Sequence, residues 1–137
     1  LNEFPECARE YLIKRISSGR VKYGPIGGMK ELKQEGIDYT KKHYGKTPAQ
    51  KNVMITIGAK QALYNLFHCL LDPEEEVLLL APYWVSYPEM IKLAYGRPVI
   101  IMPDQQLVPT IEAITAAVTP KTKALILNNP NNPSGVV

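Results

Sequence analysis

Cysteine is nearly absent: Cys7 and Cys69 are the only two in 137 residues. Neither stands in a CxxC or Cys/His spacing, which argues against a disulfide framework, and both sit in helical, apolar stretches expected to bury them as free thiols in a reducing cytoplasm. Histidine is as sparse. His43 and His68 have no partner at metal or catalytic spacing, so no metal site is expected and both read as surface or internally satisfied side chains. No apolar run approaches the ~20 residues of a transmembrane helix, and the N-terminus lacks the basic, apolar, small-residue order of a signal peptide. Charge of one sign is not concentrated either. The net +3 is scattered, with small clusters at Lys14/Arg15 and Lys41/Lys42 inside amphipathic helices, too dilute for the basic face that grips nucleic acid. These absences lead to the expectation of a cytoplasmic protein with no nucleic-acid and no membrane partner.

What is present is an ordinary folding composition, 45% hydrophobic and 21% charged, which argues against disorder. A chain of this length buries about two thirds of its unfolded surface. Pro5, then Ala8, Leu12 and Ile16 on one face, predict a first helix ended by Ser17, Ser18 and Gly19. Tyr23 to Gly28 is a turn-rich loop, since adjacent glycines and a proline disfavour helix and strand alike. A second helix runs from Met29 to about Tyr44 and is expected to be the least stable element, because Gly36 and Thr40 interrupt its apolar stripe. Val53 to Ile57 reads as a buried strand running into Gly58. A third helix, Ala59 to Leu71, has an apolar face of Ala62, Leu63, Leu66, Phe67 and Leu70 and is stopped by Asp72 and Pro73. Glu74, Glu75 and Glu76 read as a solvated turn. Strands at Val77–Leu80, Val99–Ile101 and Ala124–Leu127 then alternate with helices at Pro88–Ala94 and Ile111–Val118. Strands alternating with helices predict an α/β fold with a mostly parallel sheet flanked by helices.

Three places carry candidate chemistry. A strand-to-helix turn at Gly58, Ala59 and Lys60 has the geometry that holds a phosphate, because free N–H groups and the helix dipole face the anion and Lys60 adds a cation. On its own this is a weak signal, since many such turns begin with Gly for steric reasons. Trp84, the sole tryptophan, follows Pro82 and Tyr83 directly after an apolar strand, where a flat indole could stack on an aromatic cofactor; core packing is the competing reading. Asn132 lies in NNPNNPSG, Asn128 to Gly135, after the strand ending at Leu127. Ligands of open parallel sheets bind outside the carboxyl ends of strands, so an Asn fixed between Pro130 and Pro133 is a candidate donor to an oxyanion or carboxylate. The competing reading is an asparagine that merely closes a turn.

Taken in order, YGPIGG at Tyr23, ITIGAKQAL at Ile55, APYWVSYPEM at Ala81 and TPKTKALILNNPNNPSG at Thr119 resemble the class I, aspartate-type aminotransferases of the fold-type I family that uses pyridoxal 5′-phosphate (PLP). The last segment fits the family pattern N-x-P-x-N-P-[ST]-G through Asn128, Pro130, Asn132, Pro133, Ser134 and Gly135. The resemblance implies that Gly58, Ala59 and Lys60 cradle the cofactor phosphate and that Trp84 stacks on the pyridine ring. It implies that Asn132 bonds the cofactor 3′-oxygen and the substrate α-carboxylate. Tyr23 matches a tyrosine that reaches a neighbouring subunit's phosphate in a homodimer. The implied activity is transfer of an amino group between an amino acid, aspartate-like or related, and a 2-oxo acid.

No position matches the family's Schiff-base lysine, the acidic partner of the pyridine nitrogen or the arginine that grips the substrate carboxylate. A lysine paired with a phosphate keeps its charge whereas a nucleophilic amine must shed it, so Lys60 is not expected to stand in, and no catalytic residue is assigned. The chain is accordingly expected to be a fragment: N-terminal helices and an interface loop over 1–45, then the start of a PLP-binding large domain over 46–137, truncated before the Schiff-base lysine and inactive alone. A PLP-dependent C–S lyase shares the early motifs, and a non-catalytic aminotransferase-like sensing domain is the alternative outside enzymes.

Overall fold

An apolar run flanked by polar turns has to find hydrogen-bond partners for its backbone, and in the computed structural model three such runs find them in one another. The structure describes residues 3–19, 22–105 and 108–137. Strands β1 (Glu76–Leu80), β2 (Arg97–Ile101) and β3 (Thr122–Ile126) form a sheet in the order β2-β1-β3, with both pairings parallel. Leu78 of the central strand stands opposite Val99 on one side and Leu125 on the other. Because β1 is covered on both faces, it is apolar at four successive positions rather than alternating, and Val77, Leu78 and Leu79 are all buried.

The chain divides into two compact units, 1–55 and 56–137. In the first, α1 (Glu6–Ser17) and α2 (Lys30–Tyr44) occupy the expected places, and a short 3₁₀ turn follows at Gln50–Asn52. The expected apolar face of α1 stays open, for no residue of this helix is buried. In α2 only Ile37 is buried, and the Thr40 hydroxyl donates back to the Gly36 carbonyl at 2.8 Å. Residues 46–55 belong to this unit.

The second unit holds α3 (Gly58–Leu70), the sheet, α4 (Ser86–Leu93) and α5 (Ile111–Ala117). Its core joins Phe67 and Leu71 from α3 and its end to Val77 and Leu79 of β1 and to Tyr87, Met90, Ile91 and Ala94 of α4 and its end. Phe67 and Leu71 are one helical turn apart, as Tyr87 and Ile91 are, so each contributes one apolar stripe to the layer against β1. Gly96 sits where this layer leaves no room: a Cβ there would lie 2.7 Å from Leu71 Cδ1 and 3.2 Å from the Glu75 carbonyl. Thr110 caps α5, accepting from the Ala113 N–H at 3.2 Å.

Four expectations are corrected. Val53–Ile57 is extended but not a strand: among the described residues its one bond to a distant backbone is Ile55 N–H to the Gly27 carbonyl at 3.1 Å, and a strand exists only by pairing. Leu66 and Leu70 of α3 remain exposed, so the buried stripe is narrower than the apolar one. Cys7 and Cys69 are exposed free thiols rather than buried ones. Cys69 is two residues from Phe67, which turns it about 200° away from the core on a helix. Finally, Glu76 is not part of a solvated turn. It is the first residue of β1 and only 2% exposed.

Candidate active site

Parallel strands end on the same side of a sheet, so the segments that follow the neighbours β1 and β3 emerge at one edge. After β1 comes Ala81–Val85, carrying Trp84, and after β3 comes Leu127–Gly135, carrying Asn132. Helix α3 begins at the same edge, since Lys60 Nζ lies 5.0 Å from the centroid of the Trp84 ring, a cation held on an aromatic face. Trp84 is half-buried, its body packed against the core and its ring edge-to-face with Tyr87 at 5.5 Å and 87°. Core packing and a role at the edge are therefore compatible in this one side chain.

The start of α3 is built to leave amides free. Gly58 takes φ +74°, a left-handed conformation that costs an L-side chain roughly 1–2 kcal/mol, and its N–H turns back to the Thr56 carbonyl at 2.9 Å. Thr56 Oγ1 donates to the Gly58 carbonyl at 3.0 Å, and Gln61 Oε1 accepts from the Ile57 N–H at 2.6 Å. No side chain caps the helix, and the N–H groups of Ala59 and Lys60 have no acceptor among the described residues. Two outward donors, the positive end of a helix and an ammonium suit an anion such as a phosphate. Thr56 and Gln61 were missed by sequence reasoning. The one available signal was a Gln four residues into a helix, placed to reach back over its start.

The Asn128–Gly135 turn holds itself together. Asn128 Oδ1 accepts from the Asn132 N–H at 2.9 Å, while Asn131 Oδ1 accepts from the Ser134 hydroxyl at 2.9 Å and from its N–H at 3.3 Å. The Asn132 side chain is exposed and bonds to none of the described residues. A mostly apolar cavity of about 160 Å³ adjoins this turn, bounded by Leu80, Tyr83, Tyr87, Pro109, Asn128 and Asn131. It does not include Lys60, Trp84 or Asn132. Tyr23 belongs to the first unit, where its side chain is fully exposed and makes no hydrogen bond to a described residue. No group of His, Cys, Asp and Glu side chains among the described residues is disposed to hold a metal ion.

The opposite edge of the sheet is a different environment. Glu76 accepts from the hydroxyls of Thr119 at 2.6 Å and Thr122 at 3.4 Å, and pairs with the Arg97 guanidinium. The Thr119 hydroxyl first and Arg97 next hold its carboxyl below the usual carboxylate range, against the opposing effect of burial. Beside it, Glu75 pairs with Lys123 at 2.9 Å. Its carboxyl is lowered chiefly by the Asp72 backbone N–H and then by Lys123, whose own ammonium is favoured in return.

A family model for "Aminotransferase class I and II" matches residues 2–137. The chain belongs to this family. Among its relatives, a probable aspartate/prephenate aminotransferase of Thermus aquaticus is 44% identical, with 97% of this chain and 35% of that protein aligned. An aspartate aminotransferase of Geobacillus stearothermophilus is 42% identical over 97% of this chain and 34% of its own length. The solved structure of a Thermotoga maritima aspartate aminotransferase superposes with a TM-score of 0.95 at 37% identity, covering 99% of this chain and 37% of that one. The chain thus spans about 35% of the length of the curated relatives it matches. The fold is part of a fold-type I aminotransferase large domain, and family members depend on PLP. The C–S lyase and sensing-domain alternatives are not favoured by these relatives.

Proposed function

We propose that this chain supplies the early part of the cofactor site of an aminotransferase that moves an amino group between an amino acid, aspartate or a close relative, and a 2-oxo acid. The observation that carries the reading is Lys60 lying over Trp84 at 5.0 Å, because it joins the uncapped start of α3 to the aromatic at the end of β1. The two open amides of Ala59 and Lys60 fit the cofactor's phosphate, and the indole offers a flat surface beside it. PLP, when bound, supplies the electron sink for the reacting carbon. The chain's residues would bind and orient it: the Ala59 and Lys60 amides would hold the phosphate, Trp84 would offer its flat indole to the cofactor ring, and the Asn132 amide would donate to the 3′-oxygen and the substrate carboxylate.

The choice of aspartate or a close relative rests on the relatives, which are named for aspartate, aspartate/prephenate and, in Streptococcus mutans, asparagine with an oxo acid. Assembly as a homodimer, with Tyr23 reaching the partner's phosphate, is supported by a tyrosine fully exposed in a Gly/Pro loop. Residues 1–45 would serve as the interface segment and 46–137 as the start of the large domain. A cytoplasmic setting agrees with two unpaired cysteines. The deciding experiment is a PLP titration of the complete protein followed by Trp84 fluorescence and amino-group transfer from aspartate to a 2-oxo acid. Quenching at stoichiometric PLP with turnover is expected; bound PLP that leaves the emission of Trp84 unaltered would remove the indole from the site.

A further inference from the structure

The family pattern through the Asn turn leaves position 131 open, yet in this chain Asn131 makes more hydrogen bonds than any other residue of the turn. Its Oδ1 accepts from both the N–H and the hydroxyl of Ser134, its carbonyl accepts from the Gly135 N–H at 2.8 Å, and its N–H donates to the Val136 carbonyl at 2.8 Å. The Ser134 hydroxyl in turn accepts from the Val136 N–H at 3.4 Å. The backbone is therefore tied on the C-terminal side of Asn132 by Asn131 and Ser134. On the other side the Asn128 side chain holds the Asn132 N–H. Between the two ties stands Asn132, whose side chain, like that of Asn129, bonds to none of the described residues.

We propose that Asn131 is a positioning residue for Asn132: by closing the turn through Ser134, it fixes the direction in which the Asn132 amide meets the cofactor and substrate. This rests on the reading of Asn132 given above. The physical reason is that an exposed turn must otherwise order itself at the moment of binding, and a donor a fraction of an ångström out of place loses much of its effect. The side-chain oxygen of Asn131, not its amide nitrogen, makes the tie, so an aspartate preserves it and an alanine does not.

The test uses the complete PLP-loaded protein with the variants Asn131→Ala, Asn131→Asp, Asn132→Ala and the double alanine. Asn131→Ala should raise the KM for the amino acid about tenfold, the scale of one hydrogen bond to a charged group. It should also move the pH dependence of the bound cofactor's visible absorption in the same direction as Asn132→Ala. Asn131→Asp should restore both, and the double variant should be no worse than Asn132→Ala alone. Wild-type KM and absorption in Asn131→Ala, or effects that add fully in the double variant, would overturn the proposal. An Asn132→Ala variant with unaltered KM and absorption would sink the reading of Asn132 itself, and the positioning role with it; that single variant tells the two failures apart. Should Asn131→Ala not fold, Ser134→Ala removes the hydroxyl tie alone and should shift the same two measurements by less; no shift would overturn the proposal equally.

Discussion

The two ends of the three-stranded sheet treat polar groups in opposite ways. At the end where the strands begin, Glu76 is buried and its carboxylate is bonded by Thr119, Thr122 and Arg97, side chains that come from three segments of the unit. Where the strands finish, the amides of Ala59 and Lys60 and the side chain of Asn132 have no acceptor or donor among the described residues. Both ends are polar. Only one leaves its hydrogen-bonding capacity unspent, and a polar group held in place without a partner is what a ligand site requires. The difference separates structure from function within one sheet: changes at the first end should cost stability, whereas changes at the second should cost binding.

The largest effect that sharpens this contrast is expected from Asn132→Ala in the complete protein. Loss of one preorganised donor to a developing charge reduces turnover by about 10²–10³-fold in comparable sites. The thermal midpoint should barely move, because the side chain supports nothing in the described structure. Steady-state kinetics beside a melting curve decide the matter, and a large drop in the midpoint would turn Asn132 into a structural residue. The next effect has the opposite sign of contrast. Gly96→Ala forces a methyl group against Leu71, Ile91 and the Glu75 carbonyl and should destabilise the second unit by about 1–3 kcal/mol, as overpacking does. Cofactor affinity in the folded fraction should be unaltered. Denaturant unfolding measures the first and PLP titration the second.

A smaller effect is expected at the start of α3. Ala59→Pro removes one open N–H in the first turn, a place where a helix tolerates proline. The PLP dissociation constant should rise about tenfold, the worth of a charge-assisted hydrogen bond, with the helix intact by circular dichroism. An unchanged constant would mean that the amides at this turn do not hold the phosphate.

How much of this was legible before the structure follows from what kind of interaction each feature depends on. The strand at Val77–Leu80 was readable because burial on both faces imprints a continuous apolar run on the sequence. Val53–Ile57 carries the same imprint and is not a strand, since pairing depends on a partner that the run itself does not encode. The turns at Gly58 and at Asn128–Gly135 were readable as turns because glycine, proline and asparagine leave local signatures. The arrangement of Lys60 over Trp84 was not, because it joins two elements through the packing of α3 against α4. Glu76 is the clearest failure of local reading. Three glutamates in a row look solvated, but the partners that allow the third to be buried, Arg97 and Thr119, lie far along the chain.

That buried carboxylate gives the smallest and most condition-dependent effect, one confined to acid. Thr119 and Arg97 hold the folded-state pKa of Glu76 below its ordinary value of 4.5, so the folded state favours the ionised form more than the unfolded chain does. The stability it contributes is therefore fully present above about pH 4.5 and is lost as pH falls through the lower folded-state value. Glu75 shifts in the same direction and adds to the same window. Glu76→Gln keeps the shape but cannot ionise, so the variant should be less stable than wild type at neutral pH and the two should converge as the solution is acidified. Melting curves of both proteins between neutrality and about pH 3 test this. A gap that stays constant through that range would mean that the Glu76 charge contributes nothing and that only the packing of its side chain matters. In that case the strand-start end would be as indifferent to charge as the core, and the contrast between the two ends would rest on the free groups at the other end alone.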